Sequence, residues 1–362
     1  MTNDRILEHL ENLVCCDTQN PPRDIGATHD IFRYIDSVLK PGNGFSVSVE
    51  DHGRGRVSYL AKRGDPKILF NVHLDTVPIG EGWTRPPLKL TFEEERAFGR
   101  GCCDIKGAAA VLLAIAQASD YPIAILFSTD EEGAEGCCVE AFSQSLPEGS
   151  YQVVVVAEPT ECKAVVAHRG YLSVLGEFHG EAGHSSAPRA LIDNANHQAA
   201  VWASTAIEYA ASEAALGRGL CFNLGSMSGG TGSNVIAAKS NVHWSARLPP
   251  GGDTDSALSA ICNATDASRT ADWNARFTGP PLPAHAGAVI ATRDFCARHN
   301  LEVGAPVDYW TEASLFSAAG HPAMVLGPGN IKQAHSADEW VSVDQLIRAA
   351  KIYDRLLQEA HQ

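Results

Sequence analysis

The sequence predicts a two-domain α/β protein: a mixed, mostly parallel sheet with helices on both faces, plus an inserted ferredoxin-like α+β domain. Three observations predict it. At 362 residues the chain exceeds the roughly 100–200 residues that one domain usually takes. Short apolar runs alternate with helical periodicity in the first half, the pattern of strands buried on both faces. From residue 167 the order changes to β-α-β-β-α-β, the split ferredoxin-like order.

Residues 4–16 carry Ile6, Leu7, Leu10, Leu13 and Val14 at helical spacing, and Thr18-Gln-Asn-Pro-Pro22 ends that helix. A second helix is expected over 27–39. Strands are expected over 45–49, 57–61 and 67–74, an alanine-rich helix over 106–118, and buried strands over 121–128 and 152–157. The inserted domain, 167–281, reads as strand 170–179, helix 193–212, strands 219–228 and 233–247, helix 253–266 and strand 272–278. Gly279-Pro-Pro-Leu-Pro283 leads back. Helix 286–299, a strand near 306–310, helix 312–319, strand 322–327 and helix 342–360 complete the first domain, which comprises 1–166 and 282–362. The sequence contains no internal repeat or low-complexity tract.

Apolar residues at 44% and charged residues at 20% are ordinary globular composition. The 28 Lys+Arg against 43 Asp+Glu leave a formal charge of −15. So acidic a surface repels phosphates and anionic lipids, so neither nucleic acid nor membrane is an expected partner. An acidic small substrate then needs a local basic group. No apolar run approaches the about 20 residues of a membrane span, and the N-terminal residues read as an acidic helix, not a signal peptide. Six of the ten cysteines form adjacent pairs, Cys15-Cys16, Cys102-Cys103 and Cys137-Cys138. Such neighbours bridge to each other only with strain, so they read as small buried hydrophobes in a reduced, cytoplasmic setting.

Chemistry-bearing side chains collect where apolar strands end, the usual place for sites in open α/β sheets. In Ile68-Leu-Phe-Asn-Val-His-Leu-Asp-Thr-Val-Pro78, His73 and Asp75 share a strand face. The Asp75 carboxylate can then accept from one imidazole nitrogen while the other binds a metal; the plainer reading is a buried pair holding a strand end. Asp104, in Gly99-Arg-Gly-Cys-Cys-Asp-Ile-Lys-Gly107, is either a ligand or a helix N-cap. Cys102 and Cys103 offer softer ligands, which so many carboxylates disfavour. Glu131 and Glu132 follow a buried run, and on a tight loop adjacent glutamates point different ways: one can bind a metal while the other takes a proton from water. Alone, they read as an exposed acidic turn. Glu158, in Val153-Val-Val-Val-Ala-Glu-Pro-Thr160, ends a buried strand, where a carboxylate is costly unless paired or coordinated. His335 lies on a late loop. Together these residues suit two zinc ions bridged by one carboxylate.

On these motifs the chain resembles the zinc amidohydrolase and exopeptidase family that includes acetylornithine deacetylase, succinyl-diaminopimelate desuccinylase, aminoacylase and glutamate-releasing carboxypeptidase. The resemblance runs from about residue 5 to the end. It implies that His73 and Glu158 hold one ion, Glu132 and His335 the other, and that Asp104 bridges them. It makes Glu131 the general base and Asp75 the carboxylate behind His73. The inserted domain resembles the family's lid and dimerisation domain, which implies a homodimer. Gly183-His-Ser-Ser-Ala-Pro188 then supplies His184 to the scissile carbonyl, often from the partner subunit. Gly229-Gly-Thr-Gly-Ser-Asn234 supplies Asn234 to the substrate; it is no phosphate loop, since no Gly-Lys-Ser/Thr follows. Arg247, with backbone groups near Gly329, is expected to grip the substrate carboxylate. Val72 stands where the family usually has glycine, and Ser245 where it usually has aspartate.

The resemblance implies metal-dependent hydrolysis of a small N-acyl amino acid, with two divalent ions, zinc or also cobalt. N-acetyl-L-citrulline, in arginine biosynthesis, is the expected substrate. N-acetyl-L-ornithine, succinyl-diaminopimelate and a dipeptide need the same chemistry. A non-catalytic binding protein on this fold would predict loss of Glu131 or of a ligand, and every one of those positions is intact.

Overall fold

The computed structural model describes residues 3–22, 25–133, 138–217, 219–266, 271–284 and 286–361. In chain order its elements begin with α1 (Asn3–Val14), α2 (Asp30–Val38), β1 (Ser46–Asp51), β2 (Val57–Arg63), β3 (Ile68–His73), β4 (Thr91–Glu93) and β5 (Arg96–Phe98). There follow α3 (Lys106–Ala118), β6 (Ile123–Ser128), α4 (Cys138–Ser145), β7 (Val153–Val156), β8 (Gly170–His179), α5 (Ala195–Ala215), β9 (Cys221–Gly229) and β10 (Lys239–Leu248). The last are α6 (Thr254–Cys262), β11 (Ala271–Gly279), α7 (Ala286–Arg298), α8 (Ala313–Ala318), β12 (Ala323–Val325), β13 (Trp340–Ser342) and α9 (Val343–Glu359).

The chain divides into two compact units: Met1–Ala167 with His285–Pro306 and Thr311–Gln362, and His168–Ala284 with Val307–Trp310. The strand expected near 306–310 does not form. Val307 makes a single parallel bridge to His168, and Trp310 donates to the Pro280 carbonyl at 3.1 Å and packs edge-on against Phe277. These contacts hold 307–310 to the second unit.

The first unit is built on a six-stranded sheet of order β1-β2-β6-β3-β7-β12. β6, β3, β7 and β12 run parallel to their neighbours in that series; β1 and β2 add antiparallel pairings. Every residue of β3, β6 and β7 is buried, which is why these runs are continuously apolar instead of alternating. α3 is buried all round from Lys106 to Ala116, a burial that its alanines permit, and it packs against α1 and α9. The Phe70 ring lies 4.9 Å from Tyr353 of α9. The small sheet β13-β5-β4 and helix α4 are absent from the sequence expectations; three-residue strands are too short to display a period. Cys137, one of the paired cysteines, lies outside the described residues.

The second unit carries an antiparallel sheet of order β11-β8-β10-β9 with α5 and α6 packed on it, the expected β-α-β-β-α-β unit. Along β10, Val242, Trp244, Ala246 and Leu248 alternate inward. There Trp244 joins Phe178, Trp202 and Trp273 in one aromatic cluster. Asn194 and Asp253 cap α5 and α6 with their side chains. Among the described residues no helix is long and apolar enough to cross a membrane.

Candidate active site

The parallel strands deliver the candidate residues to one end of the first unit's sheet. His73 is the last residue of β3 and pairs with Ser128, the last of β6; Glu131 and Glu158 follow just beyond β6 and β7. His73 Nδ1 lies 2.9 Å from the backbone carbonyl of Asp75, whereas the Asp75 carboxylate stands 3.5 Å away. The carboxylate thus stands beside Nδ1, as expected, but the backbone carbonyl makes the shorter contact. A carbonyl only accepts, so Nδ1 carries a proton, and Nε2 is the nitrogen left for a carboxylate or an ion.

Nε2 faces Asp104 Oδ1 at 3.0 Å and Glu158 Oε1 at 3.3 Å. The other Asp104 oxygen lies 3.1 Å from His335 Nε2, which is also 3.1 Å from Glu132 Oε1. Asp104 therefore addresses one histidine with each oxygen. It is not the helix cap, a position that Ile105 holds without a side-chain bond. Gly107 lets α3 begin directly beneath this turn, since a Cβ there would sit 2.4 Å from the Cys102 carbonyl.

Three ligand groups emerge: His73, Asp104 and Glu158; Asp104, Glu132 and His335; and His73, Glu131 and Glu132, each with its donor atoms within 4.8 Å of one another. The electrostatics invite cations. Burial and the Asp104 charge push Glu158 up to about 7. Burial, reinforced by Glu132, Glu158 and Asp104, pushes Glu131 well above the carboxylate range, and His73 only partly offsets it. Burial also raises Asp104, but its bonds to His335 and His73 hold it below the usual range. Bonds to Asp104 and Glu132 push His335 up to about 11. Imidazole lone pairs and carboxylates that converge this closely are reconciled by protons or by metal ions, and a nitrogen–oxygen set of this kind fits divalent ions.

Around the ligands, Asp75 Oδ2 accepts from Asn20 Nδ2 at 2.8 Å and from the Glu132 backbone N–H at 3.0 Å, so it fixes the Glu131-Glu132 turn. Asn20 enters this network from a segment that the sequence marks only as a helix stop. Glu312 was missed as well. It is buried, accepts from Ser128 Oγ at 3.0 and 3.2 Å, and is pushed up to about 8 by burial and the Asp130 charge. A lone glutamate inside an apolar helix run was the available signal. Cys102 and Cys103 turn their thiols to backbone carbonyls of Ala97, Glu339 and Asn330, and burial pushes both up. The expected role of Gly329 is corrected. Its N–H, the one group there that could hold a substrate carboxylate, donates to Gln345 Oε1 at 2.6 Å. Its φ of +96°, and the 2.6 Å that would separate a Cβ from Cys103 Sγ, explain the glycine.

The remaining expected residues lie in the second unit. His184 and Asn234 sit on two exposed loops zipped together by the His184–Val235 bridge and a Ser185 N–H to Asn234 carbonyl bond of 3.1 Å. Arg247 is half-buried near the other end of β10, with its guanidinium 3.9 Å over the Tyr171 ring, which orients it where Ser245 stands in place of an aspartate.

The profile of Peptidase family M20/M25/M40 matches residues 69–359. The chain belongs to this family. As an M20/M25/M40 member it is a metal-dependent amidohydrolase. It is 45% identical, over 98% of each chain, to an N-acetyl-L-citrulline deacetylase of Xanthomonas campestris pv. campestris. It is 30% identical to an acetylornithine deacetylase of Edwardsiella ictaluri, over 84% of this chain and 83% of that one. Among solved structures, the M20 family metallo-carboxypeptidase Sso-CP2 from Sulfolobus solfataricus superposes with a TM-score of 0.72 at 16% identity, covering 99% of each chain. At that identity the likeness speaks to the fold alone.

Proposed function

We propose that this chain hydrolyses the N-acetyl amide bond of N-acetyl-L-citrulline, giving citrulline and acetate in arginine biosynthesis. The observation that carries the substrate is the 45% identity over 98% of both chains to an N-acetyl-L-citrulline deacetylase, against 30% for the acetylornithine deacetylase. A citrulline side chain is neutral and an ornithine side chain cationic, so the two demand different pockets. We expect kcat/KM for N-acetyl-L-citrulline to exceed that for N-acetyl-L-ornithine in a side-by-side assay. The reverse ranking would make the chain an acetylornithine deacetylase with the same chemistry.

In this reading His73 and Glu158 hold one ion, Glu132 and His335 a second, and Asp104 both, with zinc or cobalt as the metal. Bound there, such ions polarise an amide carbonyl and make water more acidic. Glu131 takes the proton of the attacking water and returns it to the amine as the C–N bond breaks. Asp75 keeps the Glu131-Glu132 turn in place. Arg247 pairs its guanidinium with the substrate α-carboxylate, and Asn234, zipped to the His184 loop, acts on the substrate together with His184.

His184 is proposed to polarise the scissile carbonyl from a partner subunit. Between the end of β10 beside the His184 loop and Arg247 lie the eight steps from Lys239 to Arg247, about 27 Å at roughly 3.4 Å per residue. That far exceeds the few bonds between an acyl carbonyl and an α-carboxylate. The separation supports a two-fold homodimer in which one inserted unit serves two sites. The exposed Val201 and Ile207 of α5 and the open edge strand β9 favour the second unit as its interface. A cytoplasmic location suits the cysteines, which are free among the described residues. Mixing inactive His184→Ala and Glu131→Ala subunits tests this reading. Hybrid dimers regain one intact site, so random exchange should restore about a quarter of wild-type activity. No recovery after proven exchange would mean that His184 serves its own subunit or none.

A further inference from the structure

Glu339 is buried, 1% exposed, and every polar atom beyond its own N–H is directed at the loop that carries Asp104. Its Oε1 accepts from the backbone N–H groups of Cys103 at 2.9 Å and Asp104 at 3.1 Å. Its Oε2 accepts from the Gly101 N–H at 3.0 Å and from Arg100 Nη1 at 2.8 Å. Its carbonyl accepts from the Gly99 N–H at 3.0 Å and from the Cys102 thiol at 3.4 Å. One residue thus holds 99–104 from end to end.

Glu339 also lies four residues after His335, and Asp338 between them anchors the same segment elsewhere. Asp338 accepts from the Thr84 N–H and from the Arg85 N–H at 2.9 and 3.2 Å. His335 and Asp338 both have positive φ, 57° and 51°, so the segment is tightly bent between its anchors.

We propose that Glu339 is a positioning residue of the metal centre, the template on which the 99–104 loop folds so that the two Asp104 oxygens face His73 and His335. The inference rests on the metal reading above, and adds that Glu339 sets the bridging geometry from behind the ligand loop. Glu339 touches no ligand side chain; it acts through three backbone N–H groups, which a carboxylate satisfies without rotation. An amide of the same shape cannot. Whichever oxygen becomes NH2 in Glu339→Gln meets N–H donors of the loop or the Arg100 guanidinium.

The test compares wild type and Glu339→Gln, both stripped of metal and titrated with Zn²⁺ against a chromogenic chelator. We expect zinc affinity to fall about 10–100-fold, as for partners behind metal ligands, while KM at saturating zinc stays near wild type and kcat falls. Glu339→Asp, which keeps the charge on a shorter stem, should lie between the two. A folded Glu339→Gln with wild-type zinc affinity and kcat overturns the proposal. Wild type that binds no zinc instead removes the metal reading itself. Metal-free wild type provides a test independent of variant folding: the amides of Gly101, Cys103 and Asp104 should be protected in hydrogen exchange. Exchange there as fast as in an open loop overturns the proposal.

Discussion

Glu131→Gln is expected to lower kcat by about 10²–10⁴ while both ions stay bound. Glu131 stands within 4.8 Å of His73 and Glu132 donor atoms, yet it is missing from the two groups that Asp104 joins. That arrangement suits a place beside the ions instead of between them. The amide keeps the shape of the side chain and removes the ability to take a proton. Metal content by mass spectrometry, measured on the same samples as kcat, separates this role from that of its neighbour. Glu132→Gln should lose metal, since Glu132 Oε1 is 3.1 Å from His335 Nε2. If Glu131→Gln loses metal and Glu132→Gln keeps it, the two roles are exchanged.

Asp104→Asn should abolish activity by a different route, through loss of both ions. Each Asp104 oxygen serves one histidine, at 3.0 and 3.1 Å. An asparagine offers one oxygen and turns an NH2 toward the other side. Substitution at Glu158 or Glu132, which pair with His73 and His335 respectively, should weaken one ion more than the other. Thermal unfolding with and without metal reads this directly. An ion present at one hundred times its Kd adds about 2.7 kcal/mol to the folded state, so wild type should show a marked rise in Tm. Asp104→Asn should forfeit most of that rise, and a rise equal to wild type would remove Asp104 from the bridging position.

The metal-binding end of the sheet was legible because its chemistry is written in short local strings. Apolar runs that stop at His73, Glu131 and Glu158 mark strand ends, and a buried charge at a strand end demands a partner. The inserted unit was legible from the order of its strands and helices, β-α-β-β-α-β. Less legible were the residues whose importance lies in what folds over them. Asn20 looked like punctuation, Glu312 like one polar residue of a helix, and Glu339 carried no signal at all. Each is a polar side chain buried by segments distant in sequence: Asn20 reaches Asp75, Glu312 reaches Ser128, and Glu339 reaches 99–104. Gly329 misled for the opposite reason. A glycine in a loop suggests open backbone, but Gln345 and Glu161 had already taken its N–H and carbonyl.

By itself, then, the sequence determined the order of the longer strands and helices, the β-α-β-β-α-β insertion and the kind of donor atoms at the centre. Periodicity, caps and the cost of buried charge are local or nearly local properties, and they act on residues close together in the chain. The tertiary structure alone decided which carbonyl holds His73, that Asp104 turns one oxygen to each histidine, and that Glu339 shapes the loop beneath it. Those facts are hydrogen bonds of defined direction between segments up to hundreds of residues apart, such as Glu339 with Asp104. Their geometry exists only once the sheet has brought the strand ends together.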